Sequence, residues 1–297
     1  MKKSLSTKPL AVWLFAGGPM QRPAAEKIKE RGYKLIITDG SPECALHSMT
    51  DEFIHLDTFN IDKNIAKADE LKEKYEIKAV FTSGADCHET VARVARHLGL
   101  PGIDPEISHT CRYKYETRAV LTKAGIPQPK FKVVRTHTEA LEALREIGTP
   151  AALKPPNNSG SRGFSHIESE AALTKEVFER AVKNGTTNSA IIEELLIPVS
   201  GEIAEQSAET LWYDGKMTWL NWVDRLFRKD FDFFPGLWTE SENPYKNTSW
   251  AVELAHINPA VHSSETTKEV EDMIRKAGIA LGMDKQKGGH VLKADIM

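Results

Sequence analysis

The first hundred residues alternate between short apolar runs and amphipathic segments, and this alternation constrains the fold more than any other feature. Leu10 to Ala16 is a continuous apolar run, as expected of a strand buried on both faces. Gly17, Gly18 and Pro19 break it, and Gln21 to Arg31 then carries Ala24, Ala25 and Ile28 at helical spacing until Gly32. Leu35 to Thr38, Glu52 to Leu56 and Lys78 to Thr82 read as further strands, with helices at Asp62 to Tyr75 and Cys87 to Leu98. The alternation predicts an α/β domain: a mostly parallel sheet with helices on both faces. Ligands of such sheets sit outside the carboxyl ends of the strands, which groups Gly17, Ser83, Gly84, Asp86 and Glu89 at one crevice. Helix capping by Ser83 or Asp86 explains those two equally well. Gly17-Gly18, with Asp39 ending the second strand, suggests a dinucleotide site. The run G-G-P-M-Q-R lacks the G-x-G-x-x-G spacing, however, and Pro19 removes a backbone donor. An acidic turn residue accounts for Asp39 too.

A second feature dominates the middle of the chain. Pro150 to Lys154 is a short apolar run ending in a lysine, and it leads directly into Asn157, Asn158, Ser159, Gly160, Ser161, Arg162 and Gly163. Small residues allow a tight turn whose backbone N–H groups can close over an anion, with Lys154 at its mouth. An ordinary hairpin loop beside a solvated lysine is the alternative. Phe164 to Ile167 returns as a strand, so the loop tips a hairpin. Around this feature, a helix is expected from Arg112 to Ala124, a strand at Phe131 to Val134 and a helix at Thr138 to Ile147. Beyond it come a helix at Glu170 to Lys183, capped by Ser169, and a strand at Ser189 to Glu193. An antiparallel hairpin of Ile203 to Tyr213 and Lys216 to Val223 turns at Asp214-Gly215. Thr266 to Leu281 is a long amphipathic helix, and His290 to Met297 a last strand.

Composition bounds the function. The chain has 297 residues, enough for two or three domains, and a net charge of −3 that gives no electrostatic footprint for nucleic acid. No apolar run has the length of a membrane span. Cys44, Cys87 and Cys111 are odd in number and outside metal-like spacing, as expected of unpaired thiols in a reducing cytosol. A cytoplasmic protein acting on small molecules, without nucleic-acid or membrane partners, is the expectation; a homodimer is compatible with it.

The order of these parts resembles the ATP-grasp ligases with their preceding Rossmann-like domain, in the style of the carbamoyl-phosphate-synthetase-like branch. Four stretches carry the resemblance. K-Y-E-T-R-A-V-L-T-K-A-G-I-P from Lys114 resembles the linker helix whose lysine contacts ATP phosphate. A-A-L-K-P resembles the strand bearing the second ATP lysine, Lys154. N-N-S-G-S-R-G resembles the phosphate-covering loop. I-I-E-E-L-L followed by V-S-G-E resembles the adenine hinge and the ribose-binding glutamate, Glu202. The resemblance implies an N-terminal Rossmann-like domain over residues 1–110. Two α+β subdomains of the ATP-grasp fold follow, over residues 111–195 (with the linker helix) and 196–297. It implies ATP and Mg²⁺ as cofactors and an acyl-phosphate route joining a carboxylate to an amine or other nucleophile. Lys114, Lys154, Ser159, Gly160, Ser161 and Gly163 would hold phosphates. Glu193 would accept from the exocyclic amine of adenine, with Glu194 and Leu196 lending main-chain groups. Asp295, in G-H-V-L-K-A-D-I-M, stands at the first metal carboxylate, and Lys293 would reach a phosphate or pair with it. The strand that carries the second metal carboxylate in the family would follow Met297, so the last subdomain reads as incomplete and turnover as impaired. The competing reading is a non-catalytic nucleotide-binding regulatory or assembly module. A nicotinamide dehydrogenase is a third.

The acceptor side is less marked. Lys154 and Arg225 are the expected catalytic residues. Arg225 and Arg228, in V-D-R-L-F-R-K, would form a fork for a substrate carboxylate or the acyl phosphate, or else pair with Asp224, Asp230 or Asp232. Phe231, Phe233, Phe234 and Trp238 read as packing residues, or as cover over a substrate.

Overall fold

A computed structural model describes residues 8–197, 205–227 and 253–297. Glu202, Arg228 and the aromatic run from Phe231 to Trp238 lie outside the described residues. The chain divides into two units, Met1–His109 and Thr110–Met297.

In the first unit, strands β1 (Leu10–Phe15), β2 (Lys34–Asp39), β3 (Glu52–His55) and β4 (Glu76–Phe81) form a parallel sheet in the order β3-β2-β1-β4. The continuous apolar run of β1 follows from burial on both faces. Trp13 and Phe15 pack with Ile36, Leu71 and Val94, while Val12 and Leu14 pack on the opposite face with Ile28, Leu35 and Ile37. Helices α1 (Arg22–Glu30), α2 (Ile61–Lys74) and α3 (His88–His97) supply those covering residues. The buried Trp13 indole N–H is satisfied by Thr38 Oγ1 at 2.9 Å.

Helix α4 (Pro105–Arg112) was not anticipated, and the single helix expected from Arg112 to Ala124 is replaced by α5 (Lys114–Lys123), starting after Tyr113. The signal for α4 is present in the sequence. Asp104 precedes Pro105, and its carboxylate accepts the Glu106 N–H at 2.9 Å, the capping residue and first-turn proline of a helix start.

The second unit holds two antiparallel sheets. In the first, β5 (Phe131–Val134), β6 (Ala151–Lys154), β7 (Ser165–Ile167) and β8 (Ala190–Glu194) run in the order β5-β8-β6-β7. Helices α6 (His137–Ile147) and α7 (Lys175–Lys183) cover it, with Leu144 and Phe178 packing on Leu153 and Ile192. Thr136 caps α6 by accepting from Glu139 N. The expected cap at Ser169 makes no capping bond: residues Glu170–Ala172 are a 3-10 turn, and Thr174, accepting from Val177 N, starts α7 instead.

In the second sheet, β9 (Glu205–Tyr213), β10 (Lys216–Phe227), β11 (Glu253–Ile257) and β12 (Gly289–Ile296) run in the order β11-β10-β9-β12. Strand β10 extends beyond the expected Val223, and β11 was not expected. Asp214 (φ 47°) and Gly215 (φ 78°) make the tight hairpin turn between β9 and β10. Helix α8 (Ser264–Leu281) lies on this sheet through Ile274, beside Ala208 and Trp222. Among the described residues, no helix is long and apolar enough to cross a membrane.

Candidate functional site

The start of α5 and the loop after β6 meet directly. The Lys114 backbone N–H donates to the Pro156 carbonyl at 2.9 Å, and Lys114 Nζ donates to the Asn158 carbonyl at 2.5 Å. The loop has its own framework. Asn158 Nδ2 donates to the Asn184 carbonyl at 2.6 Å, and Asn158 Oδ1 accepts from Ser159 N and Arg162 Nε. Asn157 donates to Thr186 Oγ1 at 2.6 Å. Gly160 (φ 61°), Ser161 (φ 54°) and Gly163 (φ 77°) all take the left-handed conformation. At Gly163 a Cβ would also stand 2.7 Å from Asn184 Cβ, so both backbone and space require glycine there. The asparagines that look like generic loop residues in the sequence are the loop's anchors.

Lys154 ends β6, and the register of β6 on β8 pairs Ala152 with Glu193. Lys154 and Glu193 are therefore diagonal neighbours on one face of the sheet. Lys154 Nζ forms an ion pair with Glu193 Oε1, and Arg118 Nε donates to Glu193 Oε2 at 2.6 Å. Arg118 also donates from Nη1 to Gln128 Oε1 at 3.1 Å. The Glu193 side chain is only 3% exposed, so the pairing decides its charge. Burial would raise its carboxyl; Lys154 and Arg118 outweigh burial and hold it below the ordinary carboxylate value. The expectation that Glu193 offers its carboxylate to adenine meets a different arrangement: both oxygens are already engaged by cations. Arg118 was not among the expected site residues, though it lies one helical turn beyond Lys114 on α5, the spacing that puts two side chains on one face. Glu194 is held by the β5 start, its N–H donating to the Lys130 carbonyl at 2.9 Å.

On the second sheet, Arg225 stands directly across from Glu205 in the β10–β9 register and forms an ion pair with it. Its guanidinium also pairs with Glu253 on β11 and reaches Asp295 Oδ2 on β12 at 3.2 Å. Arg225, expected to form a fork with Arg228 for a substrate carboxylate, thus meets three carboxylates of the protein among the described residues, none of them Asp224. A strand position flanked on both sides brings these groups together, which local sequence does not reveal. Burial raises the Glu205 carboxyl above its ordinary value; Arg225 opposes this, and Asp295 and Glu253 add to it. Asp295 also pairs with Lys293 at 3.1 Å, one of the two arrangements expected for that lysine.

A cavity of about 740 Å³ joins these parts. Lys114, Arg118, Lys154, Glu205 and Asp295 line its polar portion, and Leu121, Ile126, Met273 and Leu292 an apolar one. Leu196, just past β8, lines it as well. Cationic groups beside an apolar slot suit a ligand with an aromatic body and an anionic tail. Among the described residues, no group of three or more His, Cys, Asp or Glu side chains is arranged to hold a metal. A second cavity, of about 340 Å³, lies by Trp219, Trp222 and His262 and contains none of the expected site residues.

In the first unit, the residues that suggested a dinucleotide site are bonded to one another. Asp39 Oδ2 accepts the Gly17 N–H at 2.6 Å and Oδ1 accepts the Ser41 N–H at 2.7 Å, so the carboxylate closes the ends of β1 and β2. Buried Gln21 ties the crevice further: Nε2 donates to the Phe15 carbonyl at 3.0 Å, and Oε1 accepts from Ser83 N and Oγ. Ser83 is a structural partner there. Glu89 is buried and bound to His109 Nδ1 at 2.8 Å.

No family model matches the chain. It is 22% identical over 286 residues to the alanine–anticapsin ligase of Bacillus amyloliquefaciens, covering 95% of this chain and 58% of that protein. The L-amino acid ligase from Bacillus licheniformis superposes with a TM-score of 0.70 at 18% identity, covering 98% of this chain and 64% of that one. The biotin carboxylase domain dimer of Hydrogenobacter thermophilus 2-oxoglutarate carboxylase, in complex with MgADP, ADP and bicarbonate, superposes with a TM-score of 0.69 at 18% identity, covering 97% of this chain and 61% of that one. At these identities the superpositions show a shared fold. The chain spans 23% to 58% of the length of the first curated relatives it matches.

Proposed function

Because the chain belongs to the ATP-grasp ligase superfamily, we propose that it binds ATP in the cavity of its second unit and serves an ATP-dependent carboxylate ligase reaction. The observation that carries this is the convergence of Lys114, Lys154, Leu196 and Asp295, from four separate stretches of sequence, on one cavity. The lysines are compact point charges for phosphates, and the apolar slot takes the base. A substrate carboxylate oxygen attacks the γ-phosphorus, the bond to the β-phosphate oxygen breaks, and ADP leaves. An amine or other nucleophile then adds to the carbonyl of the acyl phosphate and expels phosphate. The protein's part is positioning and charge stabilisation. The loop at 157–163 excludes water from the acyl phosphate.

Asp295 is a hard oxygen donor, and with Glu205 and Glu253 it makes three carboxylates around the two cations Arg225 and Lys293, so carboxylate charge is in excess there. That suits Mg²⁺, which takes one or two carboxylates and completes its shell with phosphate oxygens and water. Asp295 would hold it, and the ion would neutralise charge on the phosphates. The substrates in this reading are small molecules, a carboxylate and a nucleophile.

Calorimetric titration of ATP into the wild type and Lys154→Ala tests the reading. Binding by the wild type that is clearly weakened in the variant supports it. Equal affinities, or no binding by the wild type, overturn it.

A further inference from the structure

Glu193 carries two cations, one on each oxygen, and only one of them has an assigned task. We propose that Arg118 is a positioning residue: it keeps the Glu193 carboxylate charged and in place, so that Lys154 can leave Glu193 for a phosphate of the bound nucleotide. This rests on the nucleotide reading of the cavity.

The geometry separates the roles of the two cations. Both cations line the cavity, Lys154 at 22% and Arg118 at 19% side-chain exposure, but Lys154 is a flexible side chain that meets Glu193 through a single ammonium. Arg118 is braced twice, by Glu193 Oε2 at 2.6 Å and by Gln128 Oε1 at 3.1 Å. Glu193 is buried at the 3% level and cannot turn to water. Suppose Lys154 were its only partner. A lysine moving to a phosphate would then strand a buried carboxylate, and the attraction that holds the pair would oppose nucleotide binding. With Arg118 on the other oxygen, Glu193 keeps a charge-assisted hydrogen bond throughout, and the exchange of Lys154 from carboxylate to phosphate costs far less. Guanidinium suits this task because it stays charged and its planar fork holds two acceptors at fixed angles. Arg118 thus acts through Glu193, not on the nucleotide.

The test is a double-mutant cycle on ATP binding with Arg118→Gln, Glu193→Gln and the double variant. Arg118→Gln alone is expected to weaken ATP binding about tenfold, the worth of one charge-assisted hydrogen bond. In the Glu193→Gln background no carboxylate restrains Lys154, and the same substitution should have little further effect. Arg118→Lys should restore part of the loss. Equal, additive losses in both backgrounds would show Arg118 touching the nucleotide itself and overturn the proposal.

A second measurement needs no nucleotide. The acid limb of the stability profile, from urea unfolding against pH, should move to higher pH in Arg118→Gln, because Glu193 loses a cation. An unmoved acid limb overturns the proposal whether or not ATP binds. A moved limb in a wild type that binds no ATP removes the nucleotide reading, and with it the exchange, while leaving Arg118 as a support of Glu193.

Discussion

Lys114 Nζ donates to the carbonyl of Asn158 at 2.5 Å, so the first residue of α5 and the glycine-bearing loop after β6 form one mechanical unit. The bond uses the lysine to shape the loop as well as to present a charge beside it. Lys114→Met should therefore do two things. Limited proteolysis within residues 157–163 should speed up, and ATP affinity should fall about tenfold, the worth of one hydrogen bond to a charged group. Unchanged cleavage with weakened binding would leave Lys114 as a phosphate contact only.

The Glu193 pairing has a pH signature. Its folded carboxyl titrates below the unfolded value, because Lys154 and Arg118 outweigh burial. The stability it contributes is fully present above about pH 4.3, the unfolded glutamate value, and is lost as pH falls through the folded value. Glu193→Gln should flatten that part of the acid limb. It should also lower stability at pH 7 by about 3 kcal/mol, since two cations lose the charge between them. Urea unfolding across pH 2 to 7 (roughly the range over which carboxylates titrate) reads both effects.

Arg225 joins three strands through Glu205, Glu253 and Asp295. Arg225→Ala would leave two partly buried carboxylates, Glu205 and Glu253, and the exposed Asp295 facing one another, and should destabilise the second unit by about 3 kcal/mol. Arg225→Lys keeps the charge but not the planar fork, and should recover only part of that loss. A loss below 0.5 kcal/mol in urea unfolding (about the level of a surface ion pair) would mean that the three carboxylates do not depend on this residue.

Gly278 sits in the interior of α8, where alanine is ordinarily preferred by about 1 kcal/mol. Here a Cβ would stand 2.0 Å from Trp212 Cζ2. Trp212 is 2% exposed and held by a hydrogen bond from its indole N–H to Thr210 Oγ1 at 3.2 Å, so it cannot easily move aside. Gly278→Ala should destabilise by about 1–3 kcal/mol, overpacking exceeding the propensity gain. A rise in the thermal midpoint would show that α8 can lift from the sheet at little cost.

Much of the fold was legible because its signals are local. The strand runs of the first unit and the Asp214-Gly215 turn stand in the sequence as periodicity and turn chemistry. The failures have named causes. The start of α4 was hidden in a connector although Asp104-Pro105 marks it. Ser169 has the residue type of a cap for α7, but the chain makes a 3-10 turn there and Thr174 takes the role. Strand β11 follows a stretch whose pattern is irregular.

Of the site, the sequence by itself determined the inventory: a lysine at a strand end, a loop of small residues after it, an acidic pair on a later strand and an aspartate on the last strand. Residue type and order suffice for that, because each stretch folds by its own propensities. What only the tertiary structure decided is who pairs with whom. The β6–β8 register sets Lys154 diagonal to Glu193, α5 brings Arg118 to the other oxygen, and β9, β11 and β12 surround Arg225. A buried charge is defined by its partners, and those partners lie tens of residues away along the chain.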